Sequence, residues 1–178
     1  MNKLLKISLK YFCVVTIIYG LLLSFLDLVT VREFSFYDII EGCAIFGFAM
    51  TIVLVSYLRY EVKRIAREYG IVEADLDVKH TRKFQSNLDL EKIFEQIEMR
   101  DYYREVKLDQ VSNLIQIKTG YVGKSWGDII TIERLEKDQY KISSQPKFPL
   151  TIIDFGQNLE NILKLKHRIN VFEKNLSI

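Results

Sequence analysis

Two apolar stretches, Phe12 to Leu26 and Ile39 to Leu58, precede a charged and punctuated remainder, and no other feature limits what this chain can fold into as tightly. The second runs 20 residues with one acid, Glu41, near its start, which matches the roughly 20 helical residues that cross a ~30 Å hydrocarbon core. The first is 15 residues long and carries no charge. Begun at Ile7, with Lys10 extending its ammonium to the headgroups, it reaches a spanning length too. The expectation is a membrane protein with an N-terminal transmembrane α-hairpin.

Charge orients the hairpin. Lys3, Lys6 and Lys10 precede the first stretch and Arg59, Lys63, Arg64 and Arg67 follow the second, while the turn from Asp27 to Asp38 holds Arg32 against Asp27, Glu33 and Asp38. Lys and Arg collect on the cytoplasmic side, so both termini are expected inside a multi-pass protein of the plasma (inner) membrane. A cleaved leader would need a small-x-small site, and none follows Leu23 before the second stretch begins. Cys13 and Cys43 both lie in the apolar stretches, where a small apolar side chain is the ordinary use. The remainder therefore has neither disulfides nor cysteine ligands. His80 and His167 stand in different segments, so no metal site and no cofactor is expected.

Residues 1–70 read as the two spans plus a juxtamembrane helix, with Val62, Ile65, Ala66 and Tyr69 on one side and Gly70 at its C-terminal cap. That helix either orients the span through its basic flank or acts as a lipid contact or lever between domain and membrane. Residues 71–178 form a cytosolic α+β domain, long enough to own a core. It carries 17 Lys+Arg and 17 Asp+Glu, which leaves the whole excess of +2 in residues 1–70. A polymeric nucleic acid needs concentrated positive charge and is not an expected partner. A small anionic ligand needs only two or three groups.

Within the domain, Leu76 to Phe84 alternates as a strand, with Val78, His80, Arg82 and Phe84 on one side. Ser86 or Asn87 caps a short helix whose Leu90, Ile93, Phe94 and Ile97 share a face. Strand patterns follow at Tyr102–Leu108, Leu114–Lys118, Asp128–Leu135, Tyr140–Ser144 and Leu150–Ile153. A hairpin is expected across Glu136 to Gln139, and Pro146 and Pro149 mark a break. Asp154 with Gln157, or Asn158, caps a final helix with the apolar stripe Ile162, Leu165, Ile169 and Phe172. The expected fold is thus an antiparallel sheet, one short helix and a C-terminal helix. This order, over about residues 74–172, resembles a shortened helix-grip fold of the START-like kind, which implies a curved sheet around the last helix and an apolar cavity between them.

Gly120, Tyr121, Val122, Gly123, Lys124, Ser125 ends like a phosphate-binding loop, but position 118 is Lys118 where the motif needs glycine, and a strand pattern follows where it needs a helix. What remains is a glycine-rich loop whose backbone N–H groups, Lys124 and Ser125 can hold an anion, or else a plain hairpin loop with Trp126 folded back on the core. Tyr103 and Arg104 offer a stacking face and a charge, or belong to an ordinary strand. Asp154, Phe155, Gly156 spells a magnesium-binding triplet of kinases with no other kinase part present. Cys43, Gly47 and Thr51 recur every four residues and permit close helix packing, either on the first span, where Gly20 and Ser24 share that spacing, or on another copy in a homo-oligomer.

No titratable pair has a spacing that demands acid–base chemistry, and a non-catalytic protein is expected. The overall plan resembles bacterial two-transmembrane antiphage effectors, in which a small β-rich domain senses a cyclic nucleotide and the helices disrupt the membrane. The resemblance implies a ligand contact at the glycine loop through Lys124, Ser125 and Trp126, with Tyr103 and Arg104 nearby. The alternatives are an assembly subunit that docks onto a membrane complex and a lipid-binding helix-grip domain. A polar, lysine-lined cleft would favour the nucleotide, an apolar cavity the lipid, and a flat apolar patch the docking role.

Overall fold

The computed structural model describes residues 3–30, 35–72, 75–99, 103–149, 151 and 153–176. Arg32, Glu33, Arg100, Tyr102, Leu150 and Ile152 lie outside the described residues. The chain forms two compact units, Met1–Tyr60 and Glu61–Ile178, and the division falls inside a helix, ahead of the 70/71 boundary read from the sequence.

In the first unit, α1 (Lys3–Thr30) and α2 (Phe36–Glu68) are both long and apolar enough to cross a membrane by length and composition. At 1.5 Å per residue they measure about 42 and 50 Å, more than a bilayer core requires. They run antiparallel along a seam of small residues. A Cβ added at Gly47 would collide with Thr16 Oγ1, and one at Gly20 would stand 3.3 Å from Cys43 Sγ. Tyr19 stacks on Phe46 with ring centroids 4.1 Å apart. Cys43, Gly47 and Thr51 thus line the side of α2 that meets α1. Thr51 Oγ1 donates to the Gly47 carbonyl and so hides its polar atom inside its own helix. Ser24 is exposed and takes no part in the seam.

In the second unit the last turns of α2 end as the spacing of apolar residues predicts. Gly70 adopts φ +64°, its N–H donates to the Arg67 carbonyl at 3.2 Å, and the Ile71 N–H donates to the Ala66 carbonyl at 2.8 Å. This paired bonding closes the helix end. There follow β1 (His80–Gln85), α3 (Leu90–Glu98), β2 (Tyr103–Asp109), β3 (Leu114–Thr119), β4 (Asp128–Glu136), β5 (Gln139–Pro146) and α4 (Gln157–Leu176). The five strands make one antiparallel sheet in the order β1-β5-β4-β3-β2, so a four-strand meander takes the first strand beside its last. Alternation puts Ile115, Ile117, Ile130, Ile132 and Ile142 on one face at 0–1 % exposure, covered by Ile162, Leu165 and Ile169 of α4 and by Ile93 and Ile97 of α3. The opposite face is polar. Lys141 bridges Glu133 at 2.9 Å, and Lys118 and Lys107 each reach Glu105 at 2.6 Å.

Several boundaries differ from the sequence reading. β1 begins at His80, not Leu76, because its partner β5 ends at Pro146, which has no N–H to continue the ladder. β5 in turn runs on past Ser144 to Pro146, opposite Asp128. Thr151 and Ile153 lie outside any strand. Ser86 and Asn87 do not cap α3. Both bond the Glu173 carboxylate of α4, at 2.7–3.0 Å, and the helix begins after Asp89, whose side chain makes no capping bond. The hairpin at Lys137–Asp138 is present, with Asp138 at φ +62°.

Candidate functional site

The glycine-rich loop joins β3 to β4. Val122 and Ser125 exchange backbone bonds of 3.0 and 2.5 Å and so close a two-residue turn at Gly123–Lys124. Ser125 Oγ donates to Asp128 Oδ1 at 2.6 Å and accepts the Gly127 N–H at 3.2 Å. Gly127 is at φ +106°, where a Cβ would come 2.9 Å from the Thr119 carbonyl, so only glycine fits. The loop is therefore half built into the domain: Ser125 and Asp128 are buried. Trp126 points outward at 78 % exposure and rests against Tyr121, with centroids 5.5 Å apart. It does not fold back on the core, because the isoleucine layer and two helices already fill that face.

Lys124 reaches Glu61 at the start of this unit's share of α2, and its Nζ bonds Glu61 Oε2. Arg64 bonds the same oxygen at 3.0 Å. The loop thus holds a carboxylate, and it belongs to this chain. Beside this clamp, Val62 and Ile65 pack on Gly156, which is at φ +77° and would place a Cβ 2.9 Å from Ile65 Cδ1. Ile65 is fully buried. Tyr103 sits opposite Thr119, the residue from which the loop leaves β3, and Arg104 does not share its face. A bulge between Tyr103 and Glu105 turns Arg104 out to solvent, while Tyr103 packs against the core.

Next to the clamp, the inward face of the sheet becomes polar. Asn161 Nδ2 donates to Asp128 Oδ2 at 2.9 Å, Thr119 Oγ1 accepts the Asp128 N–H at 2.8 Å, and Ser144 Oγ donates to Asn158 Oδ1 at 2.5 Å. Asn158 gives both its backbone and its side-chain N–H to Asp154 Oδ2 at 2.9 Å, and the Gly156 N–H meets Asp154 Oδ1 at 3.1 Å. Asp154 is a cap, as the sequence reading had it, whereas Asn158 lies inside the helix and ties it to the sheet. Burial raises both carboxyls above their ordinary range, Asp128 against bonds from Ser125 and Asn161 and Asp154 against those from Asn158 and Gly156. Burial lowers His80, whose Nε2 has no hydrogen-bond partner among the described residues. The sequence reading missed this cluster. Its signal was phase: Asp128 stands two residues before Ile130 and Ser144 two after Ile142, so the alternation that buries the isoleucines buries them as well.

A cleft of about 370 Å³ opens between α3, α4 and the first residue of β2. Ile93, Ile97, Leu165 and Phe172 give it an apolar wall, and its polar groups are Gln96, Tyr103, His167, Arg168 and Asn175. The space therefore lies beside the last helix. No family, curated protein or solved structure matches the chain, so the chemistry of these sites has to be read from their own residues.

Proposed function

We propose that this chain is a two-span protein of the inner membrane with both termini cytoplasmic. In this reading its non-catalytic domain binds a small amphipathic anion and hands the bound state to the second span. One observation carries the reading. α2 continues past its apolar stretch and packs on the domain at Gly156, where Val62, Ile65 and Ala66 are buried and Glu61 is clamped by Lys124 and Arg64. A tether needs none of that, whereas a lever needs its end gripped by the domain. The ligand's apolar body would lie on Val171 and Phe172 and its acid among Gln96, His167, Arg168 and Asn175. An apolar wall supports the lipid-binding alternative over a nucleotide, and Lys124, already bound to Glu61, is not the residue that would choose between them.

Two experiments test the proposal. An alkaline phosphatase fused to the C-terminus is expected to be inactive, since that enzyme matures only in the oxidising outer compartment; an active fusion overturns the topology. Native mass spectrometry of the detergent-solubilised protein is expected to find a retained small molecule that is absent from Gln96→Trp, which fills the cleft. A bare wild-type mass, together with no thermal shift on adding fatty acids or acidic lipids, ends the ligand reading.

A further inference from the structure

The two ends of the sheet differ in chemistry. At one end lie the start of β4, the end of β5 and the glycine loop, and there Tyr121, Trp126 and Phe148 are 69, 78 and 53 % exposed. The turns at the other end, 110–113 and 137–138, are polar except for Val111. Three ties hold the aromatic end. Its hairpin is closed by the Val122–Ser125 bonds, its base is tied to β5 by the Lys147 N–H on the Gly127 carbonyl at 2.9 Å, and its tip is tied to Glu61 through Lys124. Glu61 follows the apolar stretch by three residues in sequence.

Rings with a polar handle favour the headgroup layer of a bilayer over both water and hydrocarbon, because the indole or phenol body is buried while its N–H or O–H stays wet. Exposed Arg59 and Lys63 flank Glu61 in sequence and suit lipid phosphates. We infer that the β3–β4 loop is a membrane-interface anchor. Tyr121, Trp126 and Phe148 insert at the headgroup–acyl boundary of the leaflet from which the second span emerges. The inference rests on the proposal that 39–58 spans.

Trp126 is the only tryptophan in the chain, so the full-length protein reports on its own loop. It would be reconstituted into phosphatidylcholine–phosphatidylglycerol vesicles, with or without bromine near the headgroup end of the acyl chains, washed at alkaline pH and floated. The expected result is a blue-shifted emission that brominated lipid quenches and aqueous iodide does not. A Trp126→Phe, Val111→Trp variant, with its indole at the other end of the sheet, should show the reverse. Protein that floats while Trp126 stays open to iodide and blind to bromine overturns the anchor and leaves the spans standing. Trp126 shielded from both quenchers also overturns it, since a protein surface then covers the loop. Protein that does not float at all overturns both.

Discussion

At Gly156 two demands meet on one residue: a left-handed backbone and a surface flat enough to receive Ile65. Gly156→Ala should lower stability by about 1–2 kcal/mol from the backbone alone, read as a lower melting temperature of the full chain in detergent. An unchanged melt would mean that α2 does not rest there. Lys124→Ala leaves the nearly buried Glu61 with Arg64 only and should cost about 1–3 kcal/mol. Glu61→Gln in the same background should recover part of that, and the double-mutant cycle isolates the pair. A neutral Lys124→Ala would mean that Arg64 satisfies Glu61 alone. The anion-binding character of Lys124 was legible from three nearby glycines. Its partner was not, since Glu61 is 63 residues away and nothing local marks a lysine as already spoken for.

At the scale of elements, periodicity read well wherever one face is buried by one neighbour. The stripe Ile162, Leu165, Ile169 and Phe172 does cover the sheet, and Leu90, Ile93 and Ile97 do turn inward. Ends read badly, because an end depends on a partner. Pro146 limits β1 from the next strand over, and Glu173 of α4 takes Ser86 and Asn87 away from capping α3. The seam between α1 and α2 yields a direct test. Gly20→Cys in a Cys13→Ser background places a thiol against Cys43, whose sulfur is 3.3 Å from the Gly20 Cβ position, and oxidation should link the two within one chain. Gly47→Leu, which drives a side chain into Thr16, should abolish that link. A disulfide between chains instead would put the small-residue stripe at a contact between copies.

Across the Glu61–Ile178 unit, stability should depend on pH in two opposed ways. His80 is lowered from 6.5, so the unfolded chain takes up a proton first, and stability falls as pH drops through 6.5 toward the folded value. Asp128 and Asp154 are raised from 3.8, so the folded chain takes up the proton first, and their contribution is full below 3.8 and lost as pH rises through the raised values. His80→Gln should therefore flatten the decline below 6.5 in melts of the full chain. If the decline keeps its slope, it belongs to other groups. The buried acids also bear on how the strands align. Alternation forbids a slip of one residue, which would turn every isoleucine outward, but it is blind to a slip of two. Here the inward face changes along its length, from Asp128, Thr119 and Ser144 through the isoleucines to Tyr140 and Phe84, which stack 5.4 Å apart. A two-residue slip would carry Ser144 away from Asn158 and leave acceptors without donors in a dry interior. The polar cluster thus indexes the sheet: with apolar residues of similar size in its place, the strands would still cohere, but they would no longer have a single way to line up.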